Sequence, residues 1–220
     1  DTATSYDNGP VVQNSIVSLD DTGWAAFYKD NGDSNKGKAI LGSRSEFTPS
    51  VVTASEIEFE AGNTTEVKGC ALTPSLVVVV FQDADDSNKV KARAASIASD
   101  TFTWGTVVEV DSTGTTTASC KIEALDSTHA VIVWRQQSFG VANARALSVS
   151  GTTITLGSTV DFGTGGGLQV KKLDPTHFIT THNKKVVIGL VTGITVTFGT
   201  EVTFETSGNP VTDRSLAVTD

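Results

Sequence analysis

Methionine is absent from all 220 residues, and cysteine occurs only at Cys70 and Cys120. With no Met even at position 1, a processed or excised chain is expected. Two cysteines without a CxxC pattern exclude a disulfide-built scaffold and the common zinc modules. Aromatic residues are 7% of the chain and charged residues 19%. Basic residues are few: 16 Lys and Arg face 25 Asp and Glu, a formal charge of −9. No basic stripe exists to neutralise phosphates, so nucleic acid is excluded as a partner, and an anionic membrane surface is equally unsuited. No apolar run approaches the roughly 18 residues of a membrane-spanning helix. The longest, LVVVVF at 76–81, is the size of a strand. The N-terminus, DTATSYDNGP, has neither the basic nor the apolar region of a signal peptide. Leu/Ala/Glu helical patterns are missing, whereas Thr, Ser, Gly and Val abound. That composition suits an extracellular or virion-surface β-protein.

What is present is repetition. FYKDNGDSNKGKA (27–39) returns as VFQDADDSNKVKA (80–92), 53 positions later. A Leu followed by a turn and an apolar run recurs at Leu19, Leu72, Leu125 and Leu173, spaced 53, 53 and 48 residues apart. PVTDRSLAVTD (210–220) overlays PVVQNSIVSLD (10–20), so a fifth unit begins at the C-terminus. Each unit breaks into four short alternating pieces bounded by Gly, Asp, Asn, Ser and Thr, the signal for strands and hairpins. In Leu-Asp-x-Thr the Asp is placed to accept backbone amides two residues on, fixing the first turn. Ser150-Gly151 and Thr192-Gly193 supply the positive φ of a tight hairpin between the third and fourth pieces. His182-Asn183-Lys184 makes the fourth unit's middle turn much tighter than the others.

Four antiparallel strands per 50 residues, repeated, predict an all-β chain: a β-propeller of four to five blades. The units run over about 10–63, 64–117, 118–167 and 168–209, with a partial unit at 210–220, in one domain. Two small β-sandwiches are the alternative, but they offer no reason to write one loop twice. The spare first strand at 210–220 has three readings: a strap that closes the ring, the mark of a piece cut from a longer array, or an edge that pairs with another copy of the chain.

Candidate sites lie at the turns between second and third strands. Asp30, Asp33, Asp83, Asp85 and Asp86 cluster carboxylates of the kind that suit Ca²⁺, without the EF-hand pattern. The competing reading is a solvated hairpin tip rich in turn formers. The third unit replaces these acids with Gln136, Gln137 and Phe139. Together with Asn143 they form the best exposed aromatic–amide cluster and the first place to look for a glycan. His129 and His177 share one register position and belong to a turn. No nucleophile motif, zinc-protease motif or phosphate loop is present, so no catalytic residue is assigned. Trp24, Phe81, Trp134 and Trp104 sit at alternating positions expected to face the core. The registers of Cys70 and Cys120 differ by three, and two half-buried thiols are expected rather than a bridge.

The fourth pieces share T-x-T-[L/W/F]-G, at Thr101–Gly105, Thr153–Gly157 and Thr195–Gly199. They resemble the propeller repeats of secreted lectins and Asp-box proteins, and similar repeats occur in bacterial surface and phage receptor-binding proteins. Ser99–Trp104 lacks the Gly of the Asp-box pattern. Arg93, Arg145 and Arg214 do not make the arginine triad of sialidase-type propellers, so that activity is not carried over. The resemblance implies a non-catalytic binding or adhesion module for carbohydrate or a cell surface. The alternative is a structural subunit of a filament, fibre or virion. No cofactor beyond the candidate Ca²⁺ is implied.

Overall fold

The computed structural model describes residues 11–46, 48–112, 117–136 and 140–204. The scrap before the first unit and the lone strand at 210–220 lie outside these residues. No described residue is helical, and no helix is long and apolar enough to cross a membrane.

Four antiparallel sheets follow one another along the chain. The first holds β1 (Val11–Ser18), β2 (Gly23–Asp30), β3 (Lys36–Ser45) and β4 (Thr48–Glu60). The second holds β5 (Thr64–Thr73), β6 (Leu76–Asp83), β7 (Lys89–Ala98), β8 (Thr101–Trp104) and β9 (Val108–Asp111). The third holds β10 (Thr117–Ala124), β11 (His129–Gln136), β12 (Val141–Ser150), β13 (Thr153–Leu156) and β14 (Val160–Thr164). The fourth holds β15 (Gln169–Lys172), β16 (His177–His182), β17 (Lys185–Thr192), β18 (Thr195–Phe198) and β19 (Val202–Thr203).

The four-strand expectation holds for the first sheet and changes in the other three. There the fourth piece is split in two, and both halves pair with the third strand. The cause is the glycine ending T-x-T-x-G. The amides of Gly105, Gly157 and Gly199 donate to the carbonyls of Ala94, Ala146 and Ile188 at 2.9, 2.9 and 3.0 Å. The chain then leaves the ladder briefly before it pairs again. Arg93 and Arg145, at one register, donate through Nε to the carbonyls of Gly105 and Gly157 and hold this irregularity in place.

The Leu-Asp-x-Thr turn is the same object three times. Asp20 Oδ1 accepts the amides of Thr22 and Gly23 at 2.7 and 2.6 Å. Asp126 Oδ1 accepts those of Thr128 and His129 at 2.7 and 2.8 Å, and Asp174 Oδ1 those of Thr176 and His177 at 2.7 and 2.8 Å. In the last two the His Nδ1 also pairs with the Asp, so both histidines serve the turn. Gly151 and Gly193 take φ of +60° and +59° at the tight hairpins. The fourth sheet's middle hairpin turns in two residues between the paired His182 and Lys185.

The chain divides into two compact units, residues 1–114 with 151–153, and 115–150 with 154–220. Within each, one sheet lays its leading face on the trailing face of the next. In the first unit, Ala25, Phe27, Ala39 and Leu41 of the first sheet pack on Val77, Val79, Phe81 and Ala95 of the second. Phe59 and Trp104 close this layer with ring centroids 5.8 Å apart. Arg93 Nη1 reaches across to the Phe59 carbonyl at 2.6 Å. In the second unit, Leu125, Val131, Val133 and Ala144 of the third sheet pack on Phe178, Val187 and Val191 of the fourth. Trp134 and Phe81 are fully buried, as the alternation predicts. Cys70 and Cys120 are thiols, and both are more deeply buried than expected, at 7% and 0% exposed.

Two predictions follow from this packing and these turns. Phe27 lies so close over Gly69 that a Cβ there would come within 2.4 Å of its ring. Gly69→Val is expected to cost about 1–3 kcal/mol of unfolding free energy in a denaturant titration, and an unchanged midpoint would refute the close packing. For Asp126, burial alone pushes the carboxyl up, but the hydrogen bonds from Thr128 and His129 outweigh it and hold the pKa below the usual range. The Thr176 amide, foremost, lowers Asp174 to about 2. A carboxylate held low in the folded state stabilises above its unfolded pKa and ceases to do so as pH falls through the folded one. Asp126→Ala is therefore expected to lose about 1 kcal/mol at pH 7, and the gap from the parent should narrow as the pH drops toward 2.

Candidate functional site

The turns between second and third strands lie at one end of each sheet, and the repeated loop makes two of them. In the first sheet Asp30 Oδ1 accepts the amides of Gly32 and Asp33 at 2.8 and 3.1 Å. In the second, Asp83 Oδ1 accepts those of Asp85 and Asp86 at 3.0 and 3.1 Å. Ser34, Asn35, Ser87 and Asn88 all take positive φ, between 55° and 65°. Asn and Ser tolerate that conformation because a short polar side chain bonds locally. The thirteen-letter duplication thus encodes one turn geometry twice.

The carboxylates in these loops are met by lysines. Lys38 bridges Asp30, Asp33 and Glu56 at 2.6, 3.3 and 3.1 Å. Lys91 bridges Asp83 and Asp86 at 2.7 and 2.8 Å. Lys36 joins Asp33 to Glu58, and Lys89 joins Asp86 to Glu109. Burial pushes Lys91 down, but its hydrogen bonds to Asp83 and Asp86 prevail and its pKa rises; Lys38 behaves alike. Lys91 and Lys89 hold Asp86 below the usual carboxylate range. Asp85 accepts the Asn63 amide at 2.8 Å. Among the described residues, no three or more His, Cys, Asp or Glu side chains are grouped to hold a metal ion.

The connections between sheets are stitched into these turns. In the first unit, Thr64 donates its amide to the Asn35 carbonyl at 2.9 Å, and Ala84 to that of Asn63 at 2.8 Å. In the second unit, Gly165 donates to Gly140, and Asn183 to Gly166, both at 2.7 Å. His182 is almost fully buried there, with Nδ1 3.2 Å from the Thr164 carbonyl and Nε2 2.8 Å from Glu201 Oε1. Lys185 pairs with the other Glu201 oxygen.

Of the aromatic–amide cluster, Gln137 and Phe139 lie outside the described residues. Gln136 ends β11, half-buried. Asn143, expected at the surface, is only 5% exposed, because β14 lies along its strand: it opposes Trp134 on one side and Asp161 on the other. Sequence reasoning missed Arg135. It stands beside Gln136 and against Gly166 of the stitched connection, and its Nε is buried with no hydrogen-bond partner among the described residues. Its signal was its place in WRQQSF, next to the residues that were singled out.

No family model and no curated protein sequence matches the chain. Among solved structures it is similar to a lectin of Aleuria aurantia, an N224Q mutant in complex with α-methyl-L-fucoside. The TM-score is 0.54 at 11% identity, over 90% of this chain and 64% of that one. The fold is that of a β-propeller, and the four sheets are its blades. This chain spans somewhat less than two thirds of that lectin's length.

The lysines can be ranked by what their removal strands. Lys38→Met and Lys91→Met leave the nearly buried Asp30 or Asp83 without its cation, and each is expected to cost about 1–3 kcal/mol. Lys36→Met and Lys89→Met break more exposed pairs and are expected to shift the melting temperature less. Thermal melts of the four variants check the order.

Proposed function

We propose that this chain is a non-catalytic carbohydrate-binding module that uses the loop end of its blades. The observation that carries the reading is the likeness of its fold to a lectin bound to a fucoside. The loop end supports it: rigid strands and stitched connections present turns that differ from blade to blade, the arrangement in which binding residues are found on loops. Arg135 and Gln136, with Gln137 and Phe139 of the same turn, are the groups we assign to sugar contact. A guanidinium donates to hydroxyls, an amide both donates to and accepts from them, and an aromatic face suits the apolar side of a ring. We place the module outside the cell, as a secreted or virion-surface adhesin. Recognition is read as metal-independent, since the loop carboxylates already have lysine partners.

A glycan array that includes α-L-fucosides tests this. Binding is expected, unchanged by EDTA, and weakened at least tenfold by Arg135→Ala with an unaltered melting temperature. No binding above background to any glycan refutes the reading, and loss of binding in EDTA returns the acidic loops to consideration as a Ca²⁺ site. A structural subunit is the second reading. It is favoured by the apolar side chains that the fourth sheet leaves in water.

A further inference from the structure

The second sheet is an internal control for the third. Gln82 and Arg135 stand 53 residues apart, the spacing of Leu72 and Leu125, and hold one register position near the end of the second strand. Opposite them on the third strands are Val90 and Ala142. Gln82 is buried and engaged at both ends: it accepts from Thr65 Oγ1 at 2.8 Å and donates to the Asn88 carbonyl at 3.0 Å. Arg135 is half-buried, and neither a hydrogen bond nor an ion pair joins it to a described residue. Its Nη1 lies by Gly166, where a Cβ would come within 3.2 Å of it. A guanidinium drawn partly out of water with no acceptor is costly.

The charge of the neighbourhood has changed as well. In the second sheet Asp83 pairs with Lys91. In the third, Gln136 takes the place of Asp83, and Asn143 stands opposite Trp134 as Lys91 stands opposite Phe81. No Asp or Glu occurs between Asp126 and Asp161, although the chain carries 25 of them. The formal charges within that stretch are Arg135 and Arg145, and Arg145 donates to the Gly157 carbonyl. Asp161 accepts the Gly163 amide through Oδ1 at 2.9 Å. The first two sheets meet Lys36, Lys38, Lys89 and Lys91 with carboxylates of the chain. At the same end the third sheet presents a cation to which no described carboxylate is paired.

We propose that the saccharide taken by this loop carries a carboxylate, and that Arg135 binds it. The inference rests on the carbohydrate reading and names the class of sugar, a uronic or sialic acid residue. A guanidinium offers parallel N–H donors in one plane, the arrangement that matches the two oxygens of a carboxylate. The chain as a whole carries a charge of −9 and repels anions, so a preference for acidic sugars requires a local cation of this kind.

Binding of glucuronides and sialosides, each compared with its methyl ester, tests this in the parent, Arg135→Gln and Arg135→Lys. The ester keeps the ring and removes the charge. The parent is expected to bind one acid set at least about tenfold more tightly than its ester, with the preference shrinking as salt rises. The set that binds identifies the source of the carboxylate. Arg135→Gln should bind acid and ester alike at an unchanged melting temperature, and Arg135→Lys should keep part of the preference. Equal binding of acid and ester by the parent, or tighter binding of neutral fucosides or sulfated glycans, overturns the inference and leaves the lectin reading standing. A preference that survives Arg135→Gln also overturns it. Absence of binding to every glycan overturns both.

Discussion

Everything in this molecule depends on narrow sheets covering one another. A sheet with an apolar face must bury that face against another element. Within each unit one blade therefore obtains its stability from the face of the other, as in other repeat proteins. The division of labour is visible in side-chain size. Small residues meet large ones in each layer: Ala25 and Ala39 of the first sheet share a core with Val77, Val79 and Phe81 of the second, and Ala144 and Ala146 of the third with Phe178 of the fourth. Small against large lets two twisted sheets approach without voids. Phe27 over Gly69 is the extreme case, and Arg93 fixes the approach with a hydrogen bond from one blade to the backbone of its neighbour.

The turns make that packing repeatable. An aspartate that gathers two amides and a threonine hydroxyl determines where each second strand begins, and so which residues face which way. A slip of one residue would exchange the two faces of a blade. At the other end, the lysine–carboxylate networks and the stitched connections hold the loops at fixed positions. The loops can then change composition, from acids to amides to a two-residue turn, while the sheets beneath them stay the same.

Much of this was legible in the sequence because it is local. The Leu-Asp-x-Thr turn, the glycine hairpins and the tight His182–Lys185 turn are each decided within a few residues. The apolar second strands, such as LVVVVF, could hardly be anything else. The split fourth strand was not legible: T-x-T-x-G followed by two residues and another apolar pair reads as one alternating run, and the break is a hydrogen bond to Ala94, Ala146 or Ile188 on another strand. Asn143 looked like a loop residue since it follows a glycine turn, yet β14, about twenty residues on, covers it. Arg135 was passed over for a similar reason, as Gly166 reaches it from about thirty residues away. The acidic loops show the same limit. Their lysines stand within the duplicated letters, but only cross-strand geometry reveals that Lys38 and Lys91 reach back to Asp30 and Asp83.

The placement of the two thiols has a chemical corollary. Oxidants attack accessible sulfur first, converting thiolates and thioethers to their oxides. This chain has no thioether, and both its thiols are enclosed in the sheets. The folded protein is thus almost inert toward peroxide. A single cysteine introduced on a loop would be its sole reactive sulfur, a ready point for attaching a fluorophore or a surface.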